Sequence, residues 1–196
     1  MGILQQFTPE VEVYSIDEAF LKFTGYQHYD LSNYGIEMRK RVQKWTGIPI
    51  SIGFAPTKAL AKIANKIAKK FGTQTQGSYA IDSEEKRIKA LKWTKIEDVW
   101  GIGGQHTKRL QALQVYTAYD FTQLPDAWVQ KNMSVVGLRL KHELQGKPTL
   151  DLELPATKKN IATTRSFDRS MYTLEELRER ITTFSVICAE KLRKQK

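Results

Sequence analysis

Between Pro9 and Gly25 the apolar, β-prone residues Val11, Val13, Tyr14, Ile16, Phe20 and Phe23 are spaced as in buried sheet, and the run predicts two strands meeting near Asp17. Two adjacent carboxylates, Asp17 and Glu18, interrupt it in "VEVYSIDEAF". Charges rarely sit in such a setting unless paired or bound to a metal. The pattern then changes period. "SNYGIEMRKRVQKWTG" reads as a helix ended by Gly47, "IPISIGFA" as a strand, and "GSYAID" as a further strand. In "TKALAKIANKIAKKF" between them, Leu60, Ile63, Ile67 and Phe71 recur at spacings of three and four. They form one apolar stripe of a helix, with Thr57 as its N-cap. The prediction is α+β: helices on a small, mainly antiparallel sheet.

From Ser83 to about Gly146 the β signal gives way to short helical segments punctuated by Gly101, Gly103, Pro125 and Gly137, so a small all-α domain is expected there. "KPTLDLELPATKKN" reads as a polar, proline-bearing linker. After it "NIATTRSFDRS" is expected to be a strand and "TLEELRERITTFSVICAEKL" a helix. That helix opens on a capping box, Thr173 with Glu176. Leu174, Leu177, Ile181, Phe184, Cys188 and Leu192 form its expected buried stripe, which makes Cys188 a core residue.

Composition narrows the class. The 196 residues are 41% hydrophobic and 27% charged, enough for one good core or two to three small ones. No apolar run approaches the roughly 20 residues of a membrane-spanning helix, and the N-terminus lacks the pattern of a signal peptide. The single cysteine rules out an internal disulfide framework and points to the cytoplasm. His28, His106 and His142 lack metal-ligand spacing, which makes a zinc site an unpromising reading.

Charge brings in a partner. Lys and Arg number 31 against 21 Asp and Glu, a formal net charge of +10, and a polyanion is the default guess. Lys58, Lys62, Lys66 and Lys69 or Lys70 make a second stripe on the lysine-rich helix. Like charges four apart oppose a helix slightly, so the run is easier to understand with something anionic nearby. The start of that helix would also present free backbone N–H groups. In "VWGIGGQHTKRLQALQV" a glycine-flanked turn opens a helix, which lets backbone amides approach a phosphate. Val99, Ile102, Leu110, Leu113 and Val115 would pack two short helices around it. The whole resembles a helix-hairpin-helix, which grips the DNA backbone without reading sequence.

"VEVYSIDEAF", "PISIGFAPTKALAKIANKIAKKFG", "VWGIGGQHTKRLQAL" and "NIATTRSFDRS" stand in the order and spacing of the Y-family translesion DNA polymerases, most like the UmuC branch, and the resemblance covers nearly the whole chain. It implies a partial palm over residues 1–82, a thumb with its helix-hairpin-helix over 83–150, a linker over 151–157 and the start of a little finger over 158–196. It implies that Asp17 and Glu18 serve catalysis in a site for two Mg²⁺ ions, and that Lys69 contacts a deoxynucleoside triphosphate, although Lys70 stands where the family's element has proline. Gly101, Ile102, Gly103, Thr164 and Arg165 become DNA backbone contacts. Hard oxygen ligands suit Mg²⁺, and two ions about 3.5–4 Å apart would stabilise the attacking and leaving oxygens. Adjacent side chains converge on one site only where the chain bends, as a turn between two strands does.

The same resemblance implies missing parts: a first palm strand with another metal-binding aspartate, the fingers, and most of the little finger. Asp151 and Glu153 lie in the linker and do not replace that aspartate. The isolated chain is expected not to extend a primer, and its palm, short of a strand, to be its least stable and most self-associating part. For the intact protein the family implies error-prone synthesis past damaged DNA in the SOS response, a DNA primer-template, and a UmuD-type subunit, a recombinase filament and a sliding clamp as partners. Two alternatives stand beside this reading: a non-enzymatic, sequence-independent DNA-binding module, and another two-metal enzyme on a similar palm such as a nucleotide cyclase, which has no need of the "GIG" turn.

Overall fold

The computed structural model describes residues 1–26, 28–153 and 160–194. By their internal contacts these fall into two units, one up to Leu154 and one from Pro155. The linker reading over residues 154–157 lies outside the described residues.

The first unit opens with strands β1 (Val11–Val13) and β2 (Ala19–Leu21), paired antiparallel with Val11 opposite Leu21 and Val13 opposite Ala19. Helix α1 (Leu31–Thr46) follows. Asp30 caps it by accepting from Asn33 N–H, and Gly47, at φ +73°, ends it in the left-handed conformation that glycine tolerates. Strand β3 (Ile52–Phe54) leads to α2 (Lys58–Lys70), a short α3 (Gly72–Thr75) and β4 (Ser78–Ala80). β3 and β4 pair in parallel, Ile52 with Ser78 and Phe54 with Ala80. The fold class is the expected α+β, with the strands in two separate pairs, one antiparallel and one parallel.

Helices sandwich the β3–β4 pair. Phe54 and Ala80 meet Met38 of α1 together with Phe7. On the other face α2 comes so close that a Cβ on Gly53 would stand 2.1 Å from Asn65 N and 2.5 Å from Ala61 O. Glycine at 53 is therefore a packing requirement. Leu60, Ile63 and Ile67 of α2 are buried as expected, whereas Phe71 remains partly exposed. They join a core that runs on through α4 (Glu84–Trp93), α5 (Gly104–Gln111), α6 (Ala118–Gln123) and α7 (Asp126–Leu144), where Leu91, Ile96, Leu110, Phe121, Val129 and Leu144 are buried. The palm-like and helical segments thus share one core. Among the described residues no helix is long and apolar enough to cross a membrane.

Three expectations are corrected here. In β1 it is Glu12 that is buried, while Val13 and Tyr14 are exposed and Ile16 is 99% exposed. Only one face of this two-stranded ribbon is covered, and Lys58 draws Glu12 toward it. Leu113, placed in the packing of the glycine turn, is also exposed, since it falls after the end of α5. In the second unit, residues 160–167 form no assigned strand, and α8 (Leu174–Arg193) buries no residue. Its capping box is formed, Thr173 accepting from Glu176 N–H and the Glu176 carboxylate accepting from Thr173 N–H. Among the described residues its stripe packs only in part, through Phe184 stacked on Phe167 at 6.2 Å and Cys188 near Ile161, while Leu174 is 82% and Ile181 61% exposed. Cys188 is half-buried and donates to Ile161 O across 3.8 Å.

Candidate active site and nucleic-acid interface

The turn joining β1 to β2 is closed by its own backbone: Tyr14 N–H and Ser15 N–H both donate to Glu18 O, at 3.0 and 3.1 Å. Asp17 and Glu18 stand at this bend. The Ser15 hydroxyl donates to Asp17 Oδ1 at 2.7 Å, and Lys62 Nζ donates to Glu18 Oε1 at 2.6 Å. Asp17, Glu18, Lys62 and Asn65 border a cavity of about 420 Å³ that also touches β2 and β3. The Oδ1 atom of Asn65 is buried and has no hydrogen-bond partner among the described residues.

α2 brings its lysines to acids of this same chain. Lys58 pairs with Glu12 at 2.5 Å with both side chains almost buried, Lys62 with Glu18, and Lys66 with Asp98 at 2.5 Å. The anions that the lysine stripe calls for are supplied internally. Lys69 and Lys70 are exposed in the last turn. The start of α2 corrects another expectation. Leu60 N–H goes to the Thr57 cap and Ala59 N–H to Glu143 Oε2, while the Thr57 hydroxyl donates to Glu143 O. The amides of Ala59 and Leu60 are therefore used within the fold.

Glu143 is itself fully buried, and its other carboxylate oxygen accepts from Thr149 N–H at 2.6 Å and Leu150 N–H at 3.0 Å. Glu12 accepts from Glu153 N–H at 2.7 Å, and Lys22 reaches Asp151 at 3.2 Å. Asp151, so paired, is held below the usual carboxylate range by its hydrogen bond from Leu152 N–H and then by Lys22. Asp151 and Glu153 thus serve to pin the segment after α7.

The glycine turn lies between a single 3-10 turn, Ile96–Asp98, and α5. Gly101 adopts φ +86°. Gly103 is the N-cap of α5 without a side-chain cap, and a Cβ on Gly103 or Gly104 would meet nothing within 4 Å. Glycine at these two positions leaves the amides at the start of α5 open to an outside ligand. Ile102 is buried and anchors the turn. Just before it, Trp100 Nε1 donates to the Tyr14 hydroxyl at 2.9 Å, and its ring meets those of Tyr14 and Phe20 at 5.6 and 5.7 Å. One aromatic cluster therefore joins the glycine turn to the carboxylate turn. Thr164 and Arg165 are exposed in the second unit.

Sequence reasoning missed Trp100, Glu12 and Glu143. An aromatic residue directly before the "GIG" turn was a usable signal for the first. Among the described residues no three Asp, Glu, His or Cys side chains cluster as metal ligands. The donor set at the turn is two carboxylates, which suits one hard cation that keeps water or phosphate oxygens on its other sides.

Residues 1–66 match the impB/mucB/samB family. The chain is 38% identical to protein UmuC of Salmonella typhimurium, over 98% of this chain and 46% of that protein. It is 29% identical to DNA polymerase IV of Desulfatibacillum aliphaticivorans, over 98% of this chain and 48% of that protein. Among solved structures, DinB from Sulfolobus solfataricus superposes with a TM-score of 0.60 at 28% identity, over 78% of this chain and 44% of that one. The insertion ternary complex of Dbh DNA polymerase gives 0.61 at the same identity and coverage. The chain spans about half the length of these relatives. With the carboxylate turn, the lysine helix and the glycine turn in family order, the chain resembles the Y-family DNA polymerases of UmuC and DinB type through nearly its whole length, and residues 1–66 match the impB/mucB/samB family.

Proposed function

We propose that this chain is part of an error-prone, template-directed DNA polymerase: the later palm over 1–82, the thumb over 83–150 and the start of the little finger from 158. The observation that carries this reading is the Trp100–Tyr14 hydrogen bond, which fixes the turn suited to DNA phosphates beside the turn that bears Asp17 and Glu18. In this role Asp17 and Glu18 hold Mg²⁺, which supplies Lewis-acid stabilisation of charge developing on phosphate oxygens. A second ion needs donors beyond this turn. Lys69 faces the triphosphate, and the first amides of α5, with Gly101, Ile102 and Gly103, take the DNA backbone, joined by Thr164 and Arg165. A planar guanidinium such as that of Arg165 suits phosphate. For the intact protein the proposal extends to bypass of damage within the SOS response and to a UmuD-type subunit, a recombinase filament and a sliding clamp as partners.

Two carboxylates leave the coordination incomplete, so the chain by itself holds DNA without extending a primer. Should about three to five phosphates be neutralised, log K falls against log[salt] with a slope of about −2.7 to −4.5. Fluorescence anisotropy on two unrelated duplexes across a salt series tests this. Equal, salt-sensitive binding that weakens in Gly103→Leu supports it. Tight binding to only one duplex, or affinity indifferent to salt, refutes it, and primer extension abolished by Asp17→Ala overturns the claim of inactivity alone. The Lys62–Glu18 pair, which occupies one of the two acids of the carboxylate turn, favours a second reading, a DNA-binding module without chemistry. Wild-type binding of Mn²⁺ that Asp17→Asn abolishes would remove that alternative.

A further inference from the structure

Three lysines one turn apart on α2 each meet a carboxylate, and the three pairs differ in kind. Lys58–Glu12 is nearly buried on both sides, 10% and 7% exposed, and Glu12 also accepts from Glu153 N–H. Such a pair is a fixture of the fold, since removing one partner strands a buried charge. Lys66–Asp98 is open to solvent, and neither residue lines the cavity beside the carboxylate turn. Lys62–Glu18 is partly exposed, 23% and 40%, and is the pair that engages one of the two adjacent acids of the turn. The neighbouring Asp17 has only the neutral Ser15 hydroxyl as its side-chain partner among the described residues.

We propose that Lys62 is an internal counter-ion that holds Glu18 while the carboxylate turn is free of divalent metal and is displaced when the metal arrives, an inference that rests on the metal-site reading of Asp17 and Glu18. The ammonium cannot follow the carboxylate by backbone movement, because the start of α2 is fixed by the Thr57 cap, by Glu143 and by the Lys58–Glu12 pair. It can only swing on its own side-chain torsions. The site it leaves is reachable, since Lys62, Asp17 and Glu18 border the same cavity of about 420 Å³. Beyond the carboxylate, its Nζ lies 5.3 Å from the Tyr14 ring centre, a contact that favours a cation. A divalent ion entering this space meets a like charge already seated on one of its ligands. It must break a charge-assisted hydrogen bond before Glu18 is fully available. Metal and ammonium are thus competitors for one carboxylate, and by linkage each weakens the other.

The test is Mn²⁺ binding to the whole chain, read from the loss of the free-ion resonance signal at low salt. Lys62→Met keeps the aliphatic stem and removes the charge, and is expected to tighten Mn²⁺ binding about three- to tenfold. Lys66→Met, which removes an equal charge from the same helix, is expected to change it far less. The gain in Lys62→Met should shrink as added salt screens the pair, a response that a purely structural lysine would not produce. Lys62→Gln, with circular dichroism to confirm folding, serves as the second variant. Equal affinity in Lys62→Met and Lys66→Met, or weaker binding in Lys62→Met, overturns the proposal while leaving an Asp17- and Glu18-dependent metal site intact. Binding that is absent throughout, or indifferent to Asp17→Asn and Glu18→Gln, overturns the metal reading and the proposal together.

Discussion

α2 and α8 are two amphipathic helices with similar apolar spacing and opposite fates. Leu60, Ile63 and Ile67 of α2 are buried between the β3–β4 pair and the helical part of the first unit, whereas α8 buries no residue at all. Both are capped by a threonine, Thr57 and Thr173. The difference lies in what each helix is offered. α2 has a strand pair on one side and α7 on another, while the second unit offers α8 an unpaired segment over residues 160–167. Periodicity specifies a face and leaves its partner open. The described residues 160–194 bury no side chain, so we expect them to open more readily than the first unit, the palm segment included.

The largest effect should come from the buried stripe. Leu60→Ala removes a side chain with 0% exposure and should destabilise the first unit by about 2–5 kcal/mol. Ile181→Ala, on the open face of α8, should stay within about 0.5 kcal/mol. Urea unfolding of both variants checks the contrast, and comparable losses would break it.

A smaller effect sharpens how α2 earns its partner. Gly53→Ala places a Cβ 2.1 Å from Asn65 N and 2.7 Å from Ala64 C, atoms of a helix backbone that cannot rotate away. The expected loss is about 1–3 kcal/mol from overpacking, seen as a lowered midpoint of thermal unfolding. Ala at Gly103, where the space is open, should leave that midpoint nearly unchanged.

These residues also mark what was legible in the sequence. Gly47 as a helix stop, Thr57 and Thr173 as caps, and the strands around Asp17 could be read because each is set by local backbone chemistry. The side-by-side placement of Asp17 and Glu18 at a bend was legible for the same reason. Glu12 and Glu143 were not, since their burial depends on donors far along the chain, Lys58 for Glu12 and the Ala59 amide for Glu143, with the nearer amides of Thr149 and Leu150 presented to Glu143 by an irregular segment that has no periodic signal. Glu143 also takes the Ala59 amide at the start of α2, as Thr57 takes that of Leu60, which leaves fewer amides there for a ligand. The parallel pairing of β3 with β4 was open to reading and was missed: a helix between two neighbouring strands carries the chain back so that the second runs alongside the first. The exposure of α8 could not be read from its stripe, which looks like that of any buried helix.

The smallest effect concerns two carboxylates, one near the start of each helix that follows a packed or an open segment. Asp126, in the first turn of α7, is held below its ordinary value of 3.8 by hydrogen bonds from Lys141 and then His142. Glu176, in the first turn of α8, is held below 4.5 by Tyr172 N–H, then by the Thr173 hydroxyl and Thr173 N–H. A depressed folded-state value means that the unfolded chain binds the proton more tightly. The stabilisation is then present above the ordinary value and is lost as pH falls through the depressed one. Where the two should part is in what feels the loss. α7 shares the main core, Val129 and Leu144 being fully buried, so Asp126→Asn should lower the unfolding midpoint of the first unit modestly at neutral pH. That difference should fade below pH 3.8. Glu176→Gln should reduce helical circular dichroism by loosening α8 alone, with the same disappearance in acid, and leave the first unit's midpoint in place. A shift of that midpoint by Glu176→Gln would mean that α8 has a packed partner after all.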